Sequence, residues 1–195
     1  MNFSGISPKH LVAAFVALVL LSQTAQAETF TFDPAHTTVL WRVRLLGVSK
    51  TTGNFTLKQG FLRLDPKAPA LNTVKVTINT ASLRTGVGRI DTMLKGADFL
   101  ETDKYPEAAY KSSKVVLDPD GKRAKVAGRL TLHGVTRPVT LYVVLKREAA
   151  GTTKRKKPLG FKGVMAIKRS DFGLSKLKSA VSDDVKIIIE TQVRP

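Results

Sequence analysis

From Thr29 to the end of the chain, apolar and polar residues alternate with a period of two. In residues 74–79, for example, Val74, Val76 and Ile78 are separated by polar side chains. Successive side chains of a β-strand point to opposite faces of a sheet, so the pattern predicts strands with one buried face. The alternating segments are eight or nine in number and cover residues 29–33, 37–47, 54–64, 72–80, 107–117, 122–132, 138–147, 158–169 and 184–193.

The connections between most of these strands are too short to contain a crossover helix, which predicts a largely antiparallel sheet. Turn-forming residues separate neighbouring strands at Asp65-Pro66 and at Asp118-Pro119-Asp120-Gly121. Antiparallel strands with one apolar face either form a sandwich or close into a barrel, and the alternation allows both. A barrel is favoured because closure removes exposed strand edges.

One segment between two strands departs from the alternation. Between Leu83 and Pro106, the apolar residues Ile90, Leu94 and Phe99 follow an approximately helical spacing. The spacing predicts a helix over about 88–97 and a second short turn over about 98–104. A helix at this place would cover one end of a barrel, so the sequence predicts an all-β domain with one short helical insertion.

The N-terminal segment has the features of a cleavable signal peptide. Leu11–Leu21 is an uncharged run of eleven apolar residues that follows Lys9 and precedes the small residues of Ala25-Gln26-Ala27. As a helix the run would rise only about 16 Å, roughly half of a hydrocarbon core. We therefore expect a signal peptide over residues 1–27, export of the protein, and one mature domain over residues 28–195.

The chain carries 32 Lys and Arg against 15 Asp and Glu, a formal charge of +17. Such an excess is compatible with a nucleic-acid binder or with a protein that contacts anionic membrane surfaces. The one dense cationic run, Lys154-Arg155-Lys156-Lys157, falls in a predicted loop, and no aromatic residues alternate with the cations to stack on bases. We expect no nucleic-acid partner. A basic surface-binding module with a filled core remains an alternative, and it predicts salt-sensitive binding.

Candidate chemistry is sparse in the mature domain. It contains His36 and His133, no Cys, no zinc-like ligand spacing and no Gly-x-Ser-x-Gly elbow. We expect neither a metal nor a cofactor, and no catalytic residue. An exported enzyme that acts on a lipid-like substrate is the rival hypothesis, and it predicts His36 or His133 beside an acid or a nucleophile at the mouth of a cavity.

Several motifs, in order along residues 30–192, resemble those of the YceI-like family. The residues that carry the resemblance are Asp33-Pro34-Ala35-His36-Thr37, Leu46-Gly47-Val48-Ser49, Gly53-Asn54-Phe55, the acidic and apolar positions Asp91, Leu94, Asp98, Phe99 and Leu100 followed by Tyr105-Pro106, the segment 128–139 (GRLTLHGVTRPV), and Arg169-Ser170-Asp171-Phe172-Gly173-Leu174.

The resemblance implies an eight-stranded, lipocalin-like antiparallel β-barrel with an extended internal channel. It further implies a periplasmic protein that binds a polyisoprenoid lipid, of the isoprenoid quinone or prenyl-phosphate type, without known catalytic activity. On the alternation we expect the channel wall to include Trp41, Val43, Phe55, Val76, Ile78, Leu94, Phe99, Leu130, Leu141, Phe161, Met165 and Ile167. Candidates for polar contacts near its ends are Arg89, Asp91, Arg169 and Asp171. Homodimerisation is left open.

The chain departs from the family pattern at three positions. Ile90 separates Arg89 from Asp91, whereas the family usually has Arg and Asp adjacent. Met93 and Leu45 stand where histidine is usual or frequent in the family. If those histidines contact the polar head of the lipid, this protein prefers a less polar or differently charged head group.

Overall fold

The computed structural model describes residues 27–65, 67–68, 71–146 and 159–194. Strands dominate this part of the chain, with one α-helix, α1 (Gly88–Lys95), and the two 3-10 helices Pro34–His36 and Arg169–Phe172. The described helices include none that is both long and apolar enough to cross a membrane. The strands are β1 (Glu28–Phe32), β2 (Thr38–Leu45), β3 (Ser49–Leu64), β4 (Thr73–Arg84), β5 (Glu107–Leu117), β6 (Arg123–Leu132), β7 (Val135–Lys146), β8 (Leu159–Lys168) and β9 (Asp184–Arg194).

The strands form one closed antiparallel barrel. Starting from β3, the hydrogen-bonded order is β2, β9, β8, β7, β6, β5 and β4, and β4 pairs with β3 to complete the ring. β1 and β2 share one position in this ring, because both pair with β3 on one side and β9 on the other. Nine strands therefore make an eight-stranded barrel, which confirms the predicted fold class and excludes the sandwich.

The 3-10 helix Pro34–His36 divides the shared position into β1 and β2. The Asp33 carboxylate accepts hydrogen bonds from the Ala35 main-chain N–H at 3.0 Å and pairs with His36 Nδ1 at 2.8 Å. Pro34 has no main-chain N–H to leave unsatisfied at the first helical position. The Asp-Pro-Ala-His motif of the sequence is thus an interruption of the barrel wall.

Four strands, β3, β4, β7 and β9, are longer than the alternation predicts, β3 and β4 by the most. β3 begins at Ser49, five residues before the expected start, because Leu46 and Gly47 adopt left-handed conformations that close a tight hairpin. β4 continues to Arg84, past the expected end at residue 80, and pairs there with Asn54. The predicted helix is present as α1, and turns follow it as expected.

The half of the barrel that contains β1 is filled by side chains. Phe30, Leu62, Val74, Val126 and Val193 are buried in one core cluster with Tyr110, Leu141 and Met165. The Tyr110 hydroxyl donates to the Val126 carbonyl at 2.8 Å, and burial raises the pKa of this phenol to about 12. The ring lies against Gly128, where any Cβ would be 2.6 Å from Tyr110 Cζ. We call this half of the barrel the filled half.

Candidate functional site

The opposite half of the barrel contains a cavity of about 300 Å³. Its wall is built from residues of seven strands, β2 to β6, β8 and β9, from α1 and the turns that follow it, and from the loop at residues 173–183 that precedes β9. Almost all of the lining side chains are apolar, the exceptions being Thr51, Arg169 and Lys176. The others are Val39, Trp41, Val43, Leu45, Phe55, Ile78, Leu83, Ile90, Met93, Leu94, Phe99, Leu100, Ala108, Leu130, Leu132, Ile167, Leu174, Leu177, Val181, Val185 and Ile187.

The mouth of this cavity lies between α1 and the 173–183 loop. Met93 and Leu177 both line the cavity, yet they remain 46% and 47% exposed. A side chain that faces both a cavity and solvent marks the boundary between them. The cavity therefore communicates with the outside at this end of the barrel.

Hydrogen bonds to Asp91 hold α1 over the cavity. The carboxylate of Asp91 is buried and accepts from the Thr85 main-chain N–H at 2.7 Å and from its hydroxyl at 2.6 Å. Beyond the helix, the Thr80 hydroxyl donates to the Tyr105 carbonyl at 2.6 Å. These contacts tie both ends of the helical insertion to β4, so that Ile90 and Leu94 face the cavity.

Arg169 organises the other side of the mouth. Its guanidinium is buried and donates to the main-chain carbonyls of Ser182, Leu174, Lys176 and Val181, at distances between 2.6 and 3.1 Å. The five N–H donors of a guanidinium suit such a set of acceptors. The 173–183 loop has no regular secondary structure of its own along most of its length, and Arg169 supplies the partners that its carbonyls need.

His133 joins three segments beside the same end of the barrel. Its Nδ1 lies 3.2 Å from the Phe172 carbonyl, and its Nε2 lies 3.8 Å from a carboxylate oxygen of Glu101. Its ring meets the edge of Tyr105 with centroids 4.5 Å apart. The rival enzyme hypothesis requires a histidine at the mouth, but neither His133 nor the exposed His36 is among the residues that line the cavity.

The structure brings eight of the predicted wall residues together around the cavity: Trp41, Val43, Phe55, Ile78, Leu94, Phe99, Leu130 and Ile167. The other four, Val76, Leu141, Phe161 and Met165, do not line the cavity. They belong to or pack against the core cluster, to which Leu130 and Ile167 of the cavity wall also belong. The extended channel that the resemblance implies is thus a cavity confined to one half of the barrel. Ligand contact by either set stays a prediction.

The predicted mouth residues occupy three kinds of position. Arg89 is exposed on α1, while Asp91 and Arg169 are buried in the hydrogen bonds described above, with Arg169 also lining the cavity. Asp171 is exposed, and its main-chain carbonyl accepts from Arg137 Nε at 3.0 Å. Their contact with a lipid head group also stays a prediction.

Sequence reasoning missed the contribution of the 173–183 loop. Leu174, Leu177 and Val181 line the cavity from a segment without strand alternation. Their spacing of three and four residues was a usable signal, because it places three apolar side chains on one side of a tightly turning segment. Met93 and Leu45 also line the cavity, although the sequence marked them only as departures from the family pattern.

Two carboxylates at the mouth make the stability of this region depend on pH. Hydrogen bonds from Thr85 hold the pKa of Asp91 below its ordinary value, and those from Ser170 do the same for Asp183. A carboxylate with a lowered folded-state pKa stabilises the fold above the unfolded pKa of about 3.9, and this contribution is lost as the pH falls through the folded value. We therefore expect the melting temperature to be steady near neutral pH and to fall below about pH 4.

The Asp91→Asn variant tests the share of one residue in this effect. We expect a lower melting temperature than wild type at neutral pH and a smaller difference between neutral and acidic pH, measured by differential scanning calorimetry. Asp103→Asn, at an exposed aspartate, is the matched control and should leave both quantities unchanged. If Asp91→Asn shifted the melting temperature equally at both pH values, the linkage argument would be wrong.

A family model described as a YceI-like domain matches residues 30–193. The chain belongs to the YceI-like family. Among curated YceI-like relatives, Protein YceI of Shigella flexneri and that of Escherichia coli O157:H7 are each 36% identical over 180 residues, which covers 91% of this chain and 93% of theirs.

Solved YceI-like structures have the same barrel. BcnA of Burkholderia cenocepacia superposes with a TM-score of 0.70 at 27% identity, over 84% of this chain and 99% of its own. The Campylobacter jejuni YceI protein gives 0.66 at 30% identity, over 76% and 87%. A polyisoprenoid binding domain from Saccharophagus degradans gives 0.63 at 16% identity, over 85% and 97%, and this likeness concerns the fold alone.

Proposed function

We propose that this protein binds a polyisoprenoid lipid, with part of the prenyl chain inside the apolar cavity. The observation that carries the proposal is the cavity itself: about 300 Å³, walled almost entirely by apolar side chains and open at a mouth. A prenyl chain transferred from water into such a site gains about 25 cal/mol per Å² of apolar surface buried. The family membership and the named ligand class of the Saccharophagus degradans domain support the same chemistry.

The size of the cavity limits how much of a long prenyl chain it can hold. Its volume is at the lower end of the range of about 300–1,000 Å³ for small-molecule sites. A longer chain therefore extends through the mouth or displaces side chains of the filled half. Met165 and Phe161 are candidates for such displacement, because both pack in the core outside the cavity wall and methionine is flexible.

The lining of the mouth favours a head group of low polarity. Met93 and Leu45, the positions at which the family often has histidine, both face the cavity. The cations among the residues that line the cavity are Lys176 and Arg169, and the latter is committed to main-chain carbonyls. A quinone ring suits this lining better than a pyrophosphate, whose charges would need several free donors.

Storage or transport of the lipid in the periplasm is the cellular part of the proposal. It rests on the predicted signal peptide, of which residues 1–26 lie outside the described part of the chain. An apolar cavity would shield a prenyl chain from an aqueous compartment, and its apolar lining supports binding of such a chain. Binding without catalysis is therefore the activity we propose.

The test is to purify the protein from its native source, extract it with organic solvent and identify the extract by mass spectrometry. We expect a prenyl lipid, of quinone type, at close to one molecule per protein. Trp41 provides a second readout because it is the only tryptophan of the chain and lines the cavity. A prenylated benzoquinone added to delipidated protein should quench its fluorescence saturably, whereas the same quinone without a prenyl tail should not. Repeated recovery of empty protein that also fails to respond to the prenylated quinone would overturn the proposal.

A further inference from the structure

Five of the eleven exposed large hydrophobic side chains of the described residues lie around the mouth of the cavity, and they include the two most exposed. Val48 and Leu46, at the β2–β3 hairpin tip, are 88% and 76% exposed. Val87 immediately precedes α1, and it joins Met93 and Leu177 among the exposed large hydrophobic residues. We call residues 44–50, 84–95 and 174–182 the mouth rim. Together, these segments present an apolar surface that surrounds the opening.

The segments of the mouth rim are connected to one another. The main-chain N–H of Leu46 donates to the Ala180 carbonyl at 2.8 Å, and that of Ser182 donates to the Arg44 carbonyl at 2.9 Å. Lys176 Nζ lies 3.1 Å from a carboxylate oxygen of Asp98, in the turns that follow α1. The exposed residues are therefore part of one continuous surface rather than scattered loop tips.

Two leucines of the mouth rim are unfavourable for the isolated fold. Leu46 has φ of 50° and Leu177 has φ of 55°, so both are in the left-handed region that Gly and Asn tolerate far better. Both side chains also expose apolar surface to water. The hairpin tip would be more stable with asparagine at position 46, so the stability of the barrel does not explain Leu46. Leu177 also lines the cavity, whereas Leu46 does not.

The mouth rim is also strongly cationic. It contains seven cations, Arg44, Lys50, Arg84, Arg89, Lys95, Lys176 and Lys178, and one acid, Asp91. The Asp91 carboxylate is buried and bonded to Thr85, so it does little to offset the cations at the surface. Each Lys or Arg near an anionic bilayer adds to the attraction between the protein and the bilayer. The mouth rim thus combines exposed apolar side chains with an excess of positive charge.

We propose that the mouth rim docks on an anionic lipid bilayer, with Leu46, Val48 and Leu177 inserted into the interface between head groups and acyl chains. This orientation places the cavity mouth against the apolar layer, so a prenyl chain can enter without crossing water. The inference rests on the proposed function only in that the bilayer is the source or the acceptor of the bound lipid. A second copy of the chain does not fit this surface, because two rims face to face would oppose cations to cations.

The experiment measures partition of the full mature protein into vesicles of mixed phosphatidylglycerol and phosphatidylethanolamine, by flotation. The test variant is Leu46→Asn/Val48→Asn, because neither side chain lines the cavity. We expect its partition to fall at least about tenfold, because two apolar side chains no longer insert. Its melting temperature in the absence of vesicles should rise by roughly 2–8 °C, because asparagine relieves the left-handed conformation of Leu46. Leu71→Asn/Leu117→Asn, at two exposed leucines of the filled half, is the matched control and should leave partition unchanged.

The outcomes are separable. Unchanged partition of the rim variant, or equal loss in the control, would overturn the insertion of the rim. Binding to phosphatidylcholine vesicles as strong as to anionic ones would overturn the role of the cations, as would binding insensitive to salt. Equal affinity of wild type and variant for a soluble polyanion, with no vesicle binding by either, would show an acidic macromolecule to be the partner instead. Solvent extraction of the same preparations tests the proposed function separately. Prenyl lipid in the extract of a protein that binds no vesicles would overturn only the docking. Vesicle binding by a protein that carries no prenyl lipid would overturn only the proposed lipid binding.

Discussion

Ala108→Phe is expected to abolish lipid binding while leaving the barrel folded. Ala108 is 4% exposed, and its side chain faces the cavity from β5. The cavity of about 300 Å³ has room for a phenyl ring, so the new side chain fills space that a prenyl chain would otherwise occupy. We expect the affinity for a prenylated quinone, followed by Trp41 fluorescence, to fall by about a hundredfold or more, since several buried methylene groups lose their site.

The neighbouring residue provides the matched control for this substitution. Ala109 lies on the opposite face of β5, because side chains alternate along a strand. Ala109→Phe should therefore keep the wild-type affinity. Both variants should retain the wild-type circular dichroism spectrum. Normal binding by a folded Ala108→Phe protein would show that the lipid does not use this cavity.

Arg169→Met is expected to cost the protein about 3–5 kcal/mol of its free energy of unfolding. The guanidinium is the buried partner of four main-chain carbonyls in the 173–183 loop. Methionine has a similar length but no donor, so it leaves these acceptors without hydrogen bonds in a poorly hydrated place. Urea unfolding followed by circular dichroism measures the loss. The cavity should also lose affinity, because Leu174, Leu177 and Val181 are held in the wall by this loop.

Two further variants separate the hydrogen bonds from the charge. Arg169→Lys keeps the charge but lacks the planar set of donors, so we expect it to recover less than half of the lost stability. Arg89→Met removes an exposed arginine of α1 and should change the free energy of unfolding by no more than about 0.5 kcal/mol. A loss below about 1 kcal/mol for Arg169→Met would contradict the structural role assigned to the guanidinium.

The strands were predictable because their signal is local. Alternation such as that of Val74, Val76 and Ile78 depends only on which face of one strand is buried. The boundaries were less accurate where a turn decides them, as at Leu46, since nothing in a leucine indicates a left-handed conformation. Closure of the barrel followed only from the motifs, because the pairing of β3 with β4 and of β2 with β9 is not visible in the alternation of any one strand.

The division of the interior into the filled half and the half that contains the cavity could not be predicted from the sequence. Ile78 and Val76 look alike in the alternation of β4, yet the first lines the cavity and the second packs against the core cluster. The two residues differ because of the side chains that lie opposite them in the interior. Tyr110 fills one half of the barrel interior, whereas α1 covers the other half from outside the sheet. The role of Arg169 was hidden for a similar reason, because its acceptors are main-chain carbonyls, and these carry no sequence signature.

The pairing of β2 with β9 has a consequence for how the molecule folds. Thr38 of β2 pairs with Glu190 of β9, so one of the first strands of the domain gains this partner only when the last strand is present. Pairings between such distant parts of a chain are slow to form, because a large loop must close before any contact stabilises it. A chain emerging N-terminus first holds the preceding strands as an open sheet with two adhesive edges until β9 arrives. Protection of those edges by a chaperone during that interval would therefore govern how much protein reaches the native barrel.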